Sequence, residues 1–274
     1  AIYAYKRMKI KEEKEITEVI DEAEKALFGV SQSYLSESFV PIQDILTASF
    51  ERIDELHRDK GKLRGIESGF RDIDNLVAGF QPSDLIIIAA RPSMGKSSLV
   101  LNMTLNAALK EKKPVAVFSL EMSKDQVVDR LLVNLAGVDS WKLRTGNLSD
   151  EDFPRIGEAM GQLSEAPIYI DDSPLLNVIE MRAKLRRLQS EHGLCLIVID
   201  YLQLMEGVRS YGDNNRVQEI SQISRSLKGI ARELDVPVIA LSQLSRAVEQ
   251  RHPKIPQLAD LRESGCLSGE TKII

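Results

Sequence analysis

A short stretch that combines glycine, lysine and serine offers the clearest chemistry in this sequence. It follows the apolar run Leu85–Ala89 and precedes a helix-compatible segment, Ser98–Lys110. Backbone N–H groups of a loop between a strand and a helix N-terminus point at phosphate oxygens. We therefore predict a phosphate-binding loop made of Ala90, Arg91, Pro92, Ser93, Met94, Gly95, Lys96 and Ser97.

The last residues of this loop suit ATP bound together with Mg²⁺. The ammonium group of Lys96 would reach the β- and γ-phosphates, and the hydroxyl of Ser97 would bind the metal ion. One position departs from the G-x-x-x-x-G-K-[ST] pattern, since Ala90 takes the place of the first glycine. Alanine is small enough if its φ is negative, so we interpret the stretch as a variant phosphate loop.

Polar residues also follow three other predicted strands. Asp200 comes after a buried apolar run, where a carboxylate would hold Mg²⁺. Glu121 could polarise the attacking water, and in a typical sheet order it would lie one strand from the phosphate loop. The alternative for Glu121 is an acid at the N-terminus of the next helix, which Ser123 can cap. Gln243 could sense the γ-phosphate or could lie in a solvated turn.

The elements that must position these residues alternate along the chain. We predict strands at Leu85–Ala89, Val115–Leu120, Ile168–Ile170, Leu194–Ile199 and Val236–Leu241. Between them we predict helices at Ser98–Lys110, Lys124–Ala136, Asn177–Glu191 and Arg216–Leu234, with a mostly helical stretch over Trp141–Gln162. Continuous apolar strands that alternate with helices indicate an α/β fold, a mostly parallel sheet with helices on both faces. Ligands of such sheets bind at the carboxyl ends of the strands.

Two helices are predicted before this alternating region. Apolar residues at three- and four-residue steps between Ile16 and Leu27 predict the first, which packs on its own domain or on a neighbouring subunit. Pro41 can start the second, whose apolar face comprises Ile42, Ile45, Leu46, Phe50, Ile53 and Leu56.

Composition excludes several classes of protein. A net charge of −5 argues against a globally basic nucleic-acid binder, although local basic loops remain compatible with it. The apolar runs are too short to cross a bilayer, and we find no secretory signal. The two cysteines, Cys195 and Cys266, imply no disulfide framework and fit a reducing cytosol.

Two predicted loops carry basic residues on the nucleotide side of the sheet. Residues 206–216 hold Arg209, Asn215 and Arg216, and residues 245–254 hold Arg246 and Arg251. Arginine, asparagine and backbone N–H groups suit the phosphates of a nucleic-acid backbone. The alternative is a pair of solvated loops of mixed charge.

Together these stretches resemble the motor domain of the DnaB-type replicative helicases, which are RecA-like P-loop ATPases. The resemblance covers roughly residues 10–265 and rests on Ser68–Gly79 (SGFRDIDNLVAG), Ala89–Ser97 (AARPSMGKS), Phe118–Ser123 (FSLEMS), Val198–Met205 (VIDYLQLM), Ala240–Arg246 (ALSQLSR) and Asp260–Gly265 (DLRESG).

The resemblance implies a role for each candidate residue. Glu121 would be the catalytic carboxylate, Lys96 and Ser97 the ATP- and Mg²⁺-binding pair, Asp200 the Walker-B carboxylate and Gln243 the γ-phosphate sensor. The two basic loops would grip single-stranded DNA in the channel of a homo-hexameric ring that unwinds forked duplex DNA from 5′ to 3′. Residues 12–28 would be a linker helix, and primase and a helicase loader would be partners.

The chain departs from this family at Cys266. Residues 266–274, Cys-Leu-Ser-Gly-Glu-Thr-Lys-Ile-Ile, resemble the opening of an intein, in which Cys266 would attack the Gly265 carbonyl in an N-to-S acyl shift. The alternative is a divergent tail. We therefore expect three regions: residues 1–40, the tail of an N-terminal domain with the linker helix; residues 41–265, the ATPase domain without its C-terminal part; and residues 266–274, the start of an intein.

Three functions remain open on sequence grounds. The first is a replicative helicase motor in the bacterial cytoplasm or a plastid stroma, without membrane association. The second is a RecA- or RadA-like recombination ATPase. The third is an inactive precursor half whose own chemistry is protein splicing.

Overall fold

The computed structural model describes residues 40–58, 63–205, 216–257, 259–261 and 271–273. The chain divides into two compact units, residues 1–61 and residues 62–274. The predicted helix at residues 12–28 lies outside the described residues, as does Cys266.

Helix α1 (Ile42–Arg58) is the described part of the first unit. It begins directly after Pro41, as predicted, because proline at the start of a helix has no N–H that needs a partner. Ile42, Ile45, Leu46, Phe50 and Ile53 lie on its predicted apolar face, and each of these side chains is more than half exposed.

The second unit alternates strands and helices. Its helices are α2 (Arg71–Val77), α3 (Lys96–Leu105), α4 (Lys124–Ala136), α5 (Ser140–Thr145), α6 (Asp152–Glu165), α7 (Val178–His192) and α8 (Arg216–Leu234). Its strands are β1 (Leu85–Ala90), β2 (Val115–Ser119), β3 (Ile168–Asp171), β4 (Leu196–Asp200), β5 (Val238–Gln243) and β6 (Thr271–Ile273). Helix α3 continues as a π-helical turn over Asn106–Lys110, and short 3₁₀ helices cover Leu202–Leu204 and Arg246–Gln250.

The strands form one parallel sheet in the order β3-β2-β4-β5-β1-β6. This confirms the five predicted strands and adds a sixth, in which Thr271–Ile273 pair with Leu85–Ile87. Strands β4 and β5 are inserted between β1 and β2, so neighbours along the chain are not always neighbours in the sheet. Sequence patterns do not encode this order, because it depends on where each crossover helix returns the chain.

Strand β1 shows how the sheet is covered on both faces. Leu85 and Ile87 lie in one apolar cluster with residues of α7 and α8, whereas Ile86 and Ile88 lie in another with residues of α3. Successive side chains of a strand point to opposite faces, so both faces need an apolar cover. Burial of each such side chain contributes about 1.5–3 kcal/mol, which explains the unbroken apolar strands.

Two predicted strand boundaries shift by two residues in the structure. Strand β4 begins at Leu196 and ends with Asp200, and β5 begins at Val238 and ends with Gln243. Proline at position 237 has no N–H for the ladder, although its carbonyl accepts a hydrogen bond from Ile197 N. Asp200 and Gln243 are therefore the last residues of their strands rather than residues just beyond them.

Among the described residues, no helix combines the length and apolar character needed to cross a bilayer.

Candidate nucleotide site

The carboxyl edge of the sheet gathers the predicted site residues. The phosphate loop follows β1, Gln243 ends the adjacent strand β5, and Asp200 ends β4 beyond it. Since all these strands are parallel, their carboxyl ends share one edge. The structure thus brings together residues that are more than 100 positions apart in the chain.

The phosphate loop has the backbone shape that a phosphate cradle needs. Ser93 (φ 64°) and Gly95 (φ 86°) both adopt positive φ, and Gly95 is the N-cap of α3. A Cβ atom at Gly95 would meet no atom within 4 Å, so the cradle is open there. Ala90 is the last residue of β1 and pairs with Gln243, which places it in the extended region and confirms that alanine is tolerated.

Lys96 lies at the centre of this edge. Its Nζ is 3.8 Å from Asp200 Oδ1 and 4.4 Å from the centroid of the Tyr201 ring. Its side chain is 13% exposed, so the ammonium group is largely withdrawn from water. Burial lowers the pKa of Lys96, and the carboxylates of Asp200 and Glu121 oppose that shift. Burial also raises the pKa of Tyr201, with the same two carboxylates adding to the effect.

The residues present fit a magnesium ion. Asp200 Oδ1 is buried and accepts no hydrogen bond from any residue that the structure describes. A buried carboxylate oxygen without a hydrogen bond is costly unless a cation compensates for it. Ser97, the second residue of α3, offers a hydroxyl at the adjacent loop, and oxygen ligands of this kind are those that Mg²⁺ prefers.

Glu121 lies further from the phosphate loop in the sheet than predicted. The expectation of one intervening strand is wrong, because both β4 and β5 separate β2 from β1. Its charge nevertheless acts on Lys96 and Tyr201, as their pKa shifts show. The side chain is exposed, two residues before the N-cap of α4.

The N-terminus of α4 is capped by other residues. Ser123 Oγ accepts a hydrogen bond from Gln126 N, and Gln126 Oε1 accepts one from Ser123 N, which completes a capping box. Asp125 is the acid of the first helical turn. The alternative role for Glu121, an acid within that first turn, is therefore filled by a different residue.

The predicted DNA-binding residues are described only in part. Arg209 and Asn215 lie outside the described residues, and Arg216 is described only as the first residue of α8. Arg246 is exposed at the start of the 3₁₀ helix over residues 246–250. Arg251 forms two hydrogen bonds with the buried carboxylate of Asp260, at 2.9 and 3.0 Å, and donates a third to the carbonyl of Ile255.

Sequence analysis missed three of these contacts. It gave Tyr201 no role at Lys96 and Asp260 no role at Arg251. It also placed Arg91 in the loop without seeing that its side chain turns to Glu249, at 2.7 Å. The adjacency of Tyr201 to Asp200 was a usable signal, whereas residues 158 positions apart, such as Arg91 and Glu249, give none.

The parallel sheet, the phosphate loop and the buried strand-end carboxylate define a RecA-like P-loop ATPase domain. Residues 65–274 match the DnaB-like helicase C terminal domain family. The chain therefore belongs to this family.

Relatives with known names agree with this assignment. The chain is similar to the replicative DNA helicase DnaB of Nostoc sp., with 55% identity over 264 residues, which cover 95% of this chain and 29% of the relative. It is also similar to the replicative DNA helicase DnaC of Bacillus subtilis, with 50% identity over 262 residues, covering 96% of this chain and 58% of the relative. The chain thus spans between about a third and just over half of the length of these relatives.

Solved structures show the same fold. A solved helicase-type ATPase domain superposes with a TM-score of 0.79 at 37% identity, covering 85% of this chain and 82% of that chain. A DnaB-like replicative helicase, described with its interactions with primase, superposes with a TM-score of 0.76 at 37% identity, covering 93% and 60% respectively.

Proposed function

We propose that this chain is the ATP-hydrolysing motor of a replicative DNA helicase, which translocates on single-stranded DNA from 5′ to 3′ and unwinds forked duplexes. The observation that carries the ATPase part is the buried pair of Lys96 and Asp200 at the mouth of the phosphate loop. Relatives named as replicative DNA helicases support the DNA part and favour it over a recombination ATPase. These relatives are bacterial, so the proposal places the protein in the cytoplasm.

The chain's own residues supply distinct steps in this proposal. The loop N–H groups and Lys96 bind the phosphates, while Ser97 and Asp200 would hold Mg²⁺, which neutralises charge on the phosphates. Glu121 orients the attacking water as a general base. Gln243, the last residue of β5, lies beside Ala90 and would sense the γ-phosphate.

The DNA contacts in this proposal fall on the two basic loops. Arg209, Asn215, Arg216 and Arg246 bind backbone phosphates, as arginine and asparagine side chains commonly do. Arg251 was predicted to bind DNA as well. Its bidentate contact with Asp260 supports a role in shaping the second loop, because both of its terminal nitrogens are used there. The proposed assembly is a ring hexamer, with primase and a loader as partners.

Two substitutions test the ATPase assignment. Glu121→Gln removes the base but keeps the shape, so we expect ATP turnover to fall by about 10²–10⁴-fold while nucleotide binding persists. Lys96→Ala should weaken both binding and turnover, because it removes a phosphate ligand. Turnover is measured by phosphate release, binding by a fluorescent ATP analogue, and folding by circular dichroism. Near-normal turnover in both folded variants would sink the assignment.

A second candidate function, protein splicing at Cys266, is favoured by the lengths of the relatives. Similar numbers of aligned residues make up 29–30% of the Nostoc and Synechocystis helicases but 58% of the Bacillus subtilis helicase. The two cyanobacterial relatives are therefore about twice as long, as a large insertion would make them. Against this candidate, the family match extends to residue 274, and β6 pairs with β1 in the same sheet.

The coding sequence beyond residue 274 distinguishes these two possibilities. An intein would be followed by a Ser, Thr or Cys and the rest of a helicase domain. A helicase sequence that continues directly from Ile274 would rule splicing out.

A further inference from the structure

The side chain of Arg91 leaves the phosphate loop and joins it to the segment that follows β5. Arg91 Nε lies 2.7 Å from Glu249 Oε1, and Arg91 Nη1 donates a hydrogen bond of 2.8 Å to the carbonyl of Leu244. The Arg91 side chain is 16% exposed, so most of its surface is packed. An arginine in a phosphate loop could face a nucleotide, but this guanidinium group is already committed elsewhere.

The segment after β5 is also tied to β1 by its backbone. Leu244 N donates a hydrogen bond of 3.1 Å to the carbonyl of Ala90, and Gln243 pairs with Ala90 in the sheet. The proposed γ-phosphate sensor therefore lies directly between the two partners of Arg91, namely the loop that carries it and the carbonyl of Leu244. Movement at the phosphate loop has a short path to residues 244–250.

The far side of this segment is fixed as well. Ser245 Oγ caps the 3₁₀ helix by accepting a hydrogen bond from Ala247 N, and Ser245 N donates one to the carbonyl of Asp260. The same short helix carries Glu249, which faces Arg91, and Arg246, which is exposed. The hydrogen bond from Arg91 lowers the pKa of Glu249, so the carboxylate is charged at neutral pH.

We propose that Arg91 and Glu249 couple the nucleotide site to the 3₁₀ helix over residues 246–250, so that ATP in the phosphate loop changes the affinity of this helix for single-stranded DNA. Arg91 acts as a positioning residue through Glu249 and Leu244. Coupling between two binding sites is reciprocal, so DNA must change the affinity for nucleotide by the same factor. This inference rests on the proposed function, because it needs both an ATP site and a DNA site.

The experiment measures that factor at equilibrium. The dissociation constant of a fluorescent ATP analogue with Mg²⁺ is determined in the presence and absence of saturating single-stranded oligothymidylate. Coupling between sites is typically about 5–150-fold, and we expect a value in that range for the wild-type chain. In Glu249→Gln the factor should fall at least about threefold, because the substitution removes the charge that holds Arg91. Nucleotide affinity without DNA should stay unchanged, since Glu249 lies outside the cradle.

A matched control and a charge exchange make the result specific. Glu233 lies on α8 in an ion pair with Arg186 and Arg182, away from the phosphate loop, so Glu233→Gln should keep the wild-type factor. Exchange of the pair, Arg91→Glu with Glu249→Arg, should restore part of the coupling that Glu249→Gln loses. Thermal melting of each variant checks that it folds.

The possible outcomes separate this inference from the proposed function. A wild-type chain that neither binds nor hydrolyses ATP would contradict the proposed function itself. An active ATPase whose nucleotide affinity ignores DNA would overturn the coupling alone. An unchanged factor in Glu249→Gln, or an equal loss in Glu249→Gln and Glu233→Gln, would also overturn it.

Discussion

At the scale of single residues, the surroundings of Lys96 explain how a buried ammonium group stays available for phosphate. Burial disfavours its charge, and the carboxylate of Asp200, at 3.8 Å, is too distant for a hydrogen bond. The Tyr201 ring supplies the other stabilising contact, because its electron-rich face attracts a cation at 4.4 Å. Lys96 is therefore held between two groups without being tightly bound by either.

This arrangement predicts that the ring of Tyr201 matters and its hydroxyl does not. Tyr201→Phe should bind nucleotide like the wild type, whereas Tyr201→Leu should bind about 2–30-fold more weakly, since a partly desolvated cation–π contact contributes about 0.5–2 kcal/mol. Titration with a fluorescent ATP analogue measures both. Tyr169→Leu is the control, because Tyr169 stacks on His192 rather than on Lys96. Equal affinities for the Phe and Leu variants at position 201 would contradict the contact.

At the scale of elements, Asp152 fixes the start of α6 against α5. Its Oδ2 accepts hydrogen bonds from Ser149 N at 3.0 Å, Ser149 Oγ at 2.8 Å and Lys142 Nζ at 3.3 Å. The hydrogen bonds from Ser149 are the main reason that the pKa of Asp152 falls from 3.8 to about 2. A carboxylate placed before a helix also meets the positive end of the helix dipole.

The lowered pKa sets the pH range in which Asp152 stabilises the fold. The folded state favours the charged form, so the stabilisation is complete above about pH 4 and is lost as the pH falls towards 2. Asp152→Asn should therefore melt at a lower temperature than the wild type at pH 7. That difference should shrink between pH 4 and pH 2. A difference in melting temperature that stays constant over this range would show that the charge of Asp152 is not what stabilises α6.

At the scale of the whole molecule, local patterns predicted the elements but not their arrangement. Apolar runs bounded by turn residues located the five central strands, and the Gly95-Lys96-Ser97 spacing located the phosphate loop. The strand order depends on long-range packing, which explains why the position of Glu121 was misjudged. Contacts such as Arg251 with Asp260 depend on how loops close in space, and no sequence spacing announces them.

Strand order also determines what nucleotide binding does to the whole domain. The phosphate loop follows β1 and Asp200 ends β4, with β5 between them, so Mg²⁺ and a triphosphate would join elements on both sides of one strand. A ligand that binds only the folded state at 100 times its dissociation constant adds about 2.7 kcal/mol to the free energy of unfolding. For a domain of this size that corresponds to a rise in melting temperature of roughly 5–10 °C.

The share of this stabilisation that depends on Mg²⁺ should require Asp200. Thermal melts with a non-hydrolysable ATP analogue, with Mg²⁺ or with EDTA, measure that share directly. In Asp200→Asn it should disappear, because the amide cannot supply the anionic oxygen that the ion needs. Asp171→Asn is the matched control: this carboxylate also ends a strand of the sheet, but Lys184 pairs with it at 2.6 Å. Persistence of the full Mg²⁺-dependent shift in Asp200→Asn would mean that the ion is held by other oxygens of this edge.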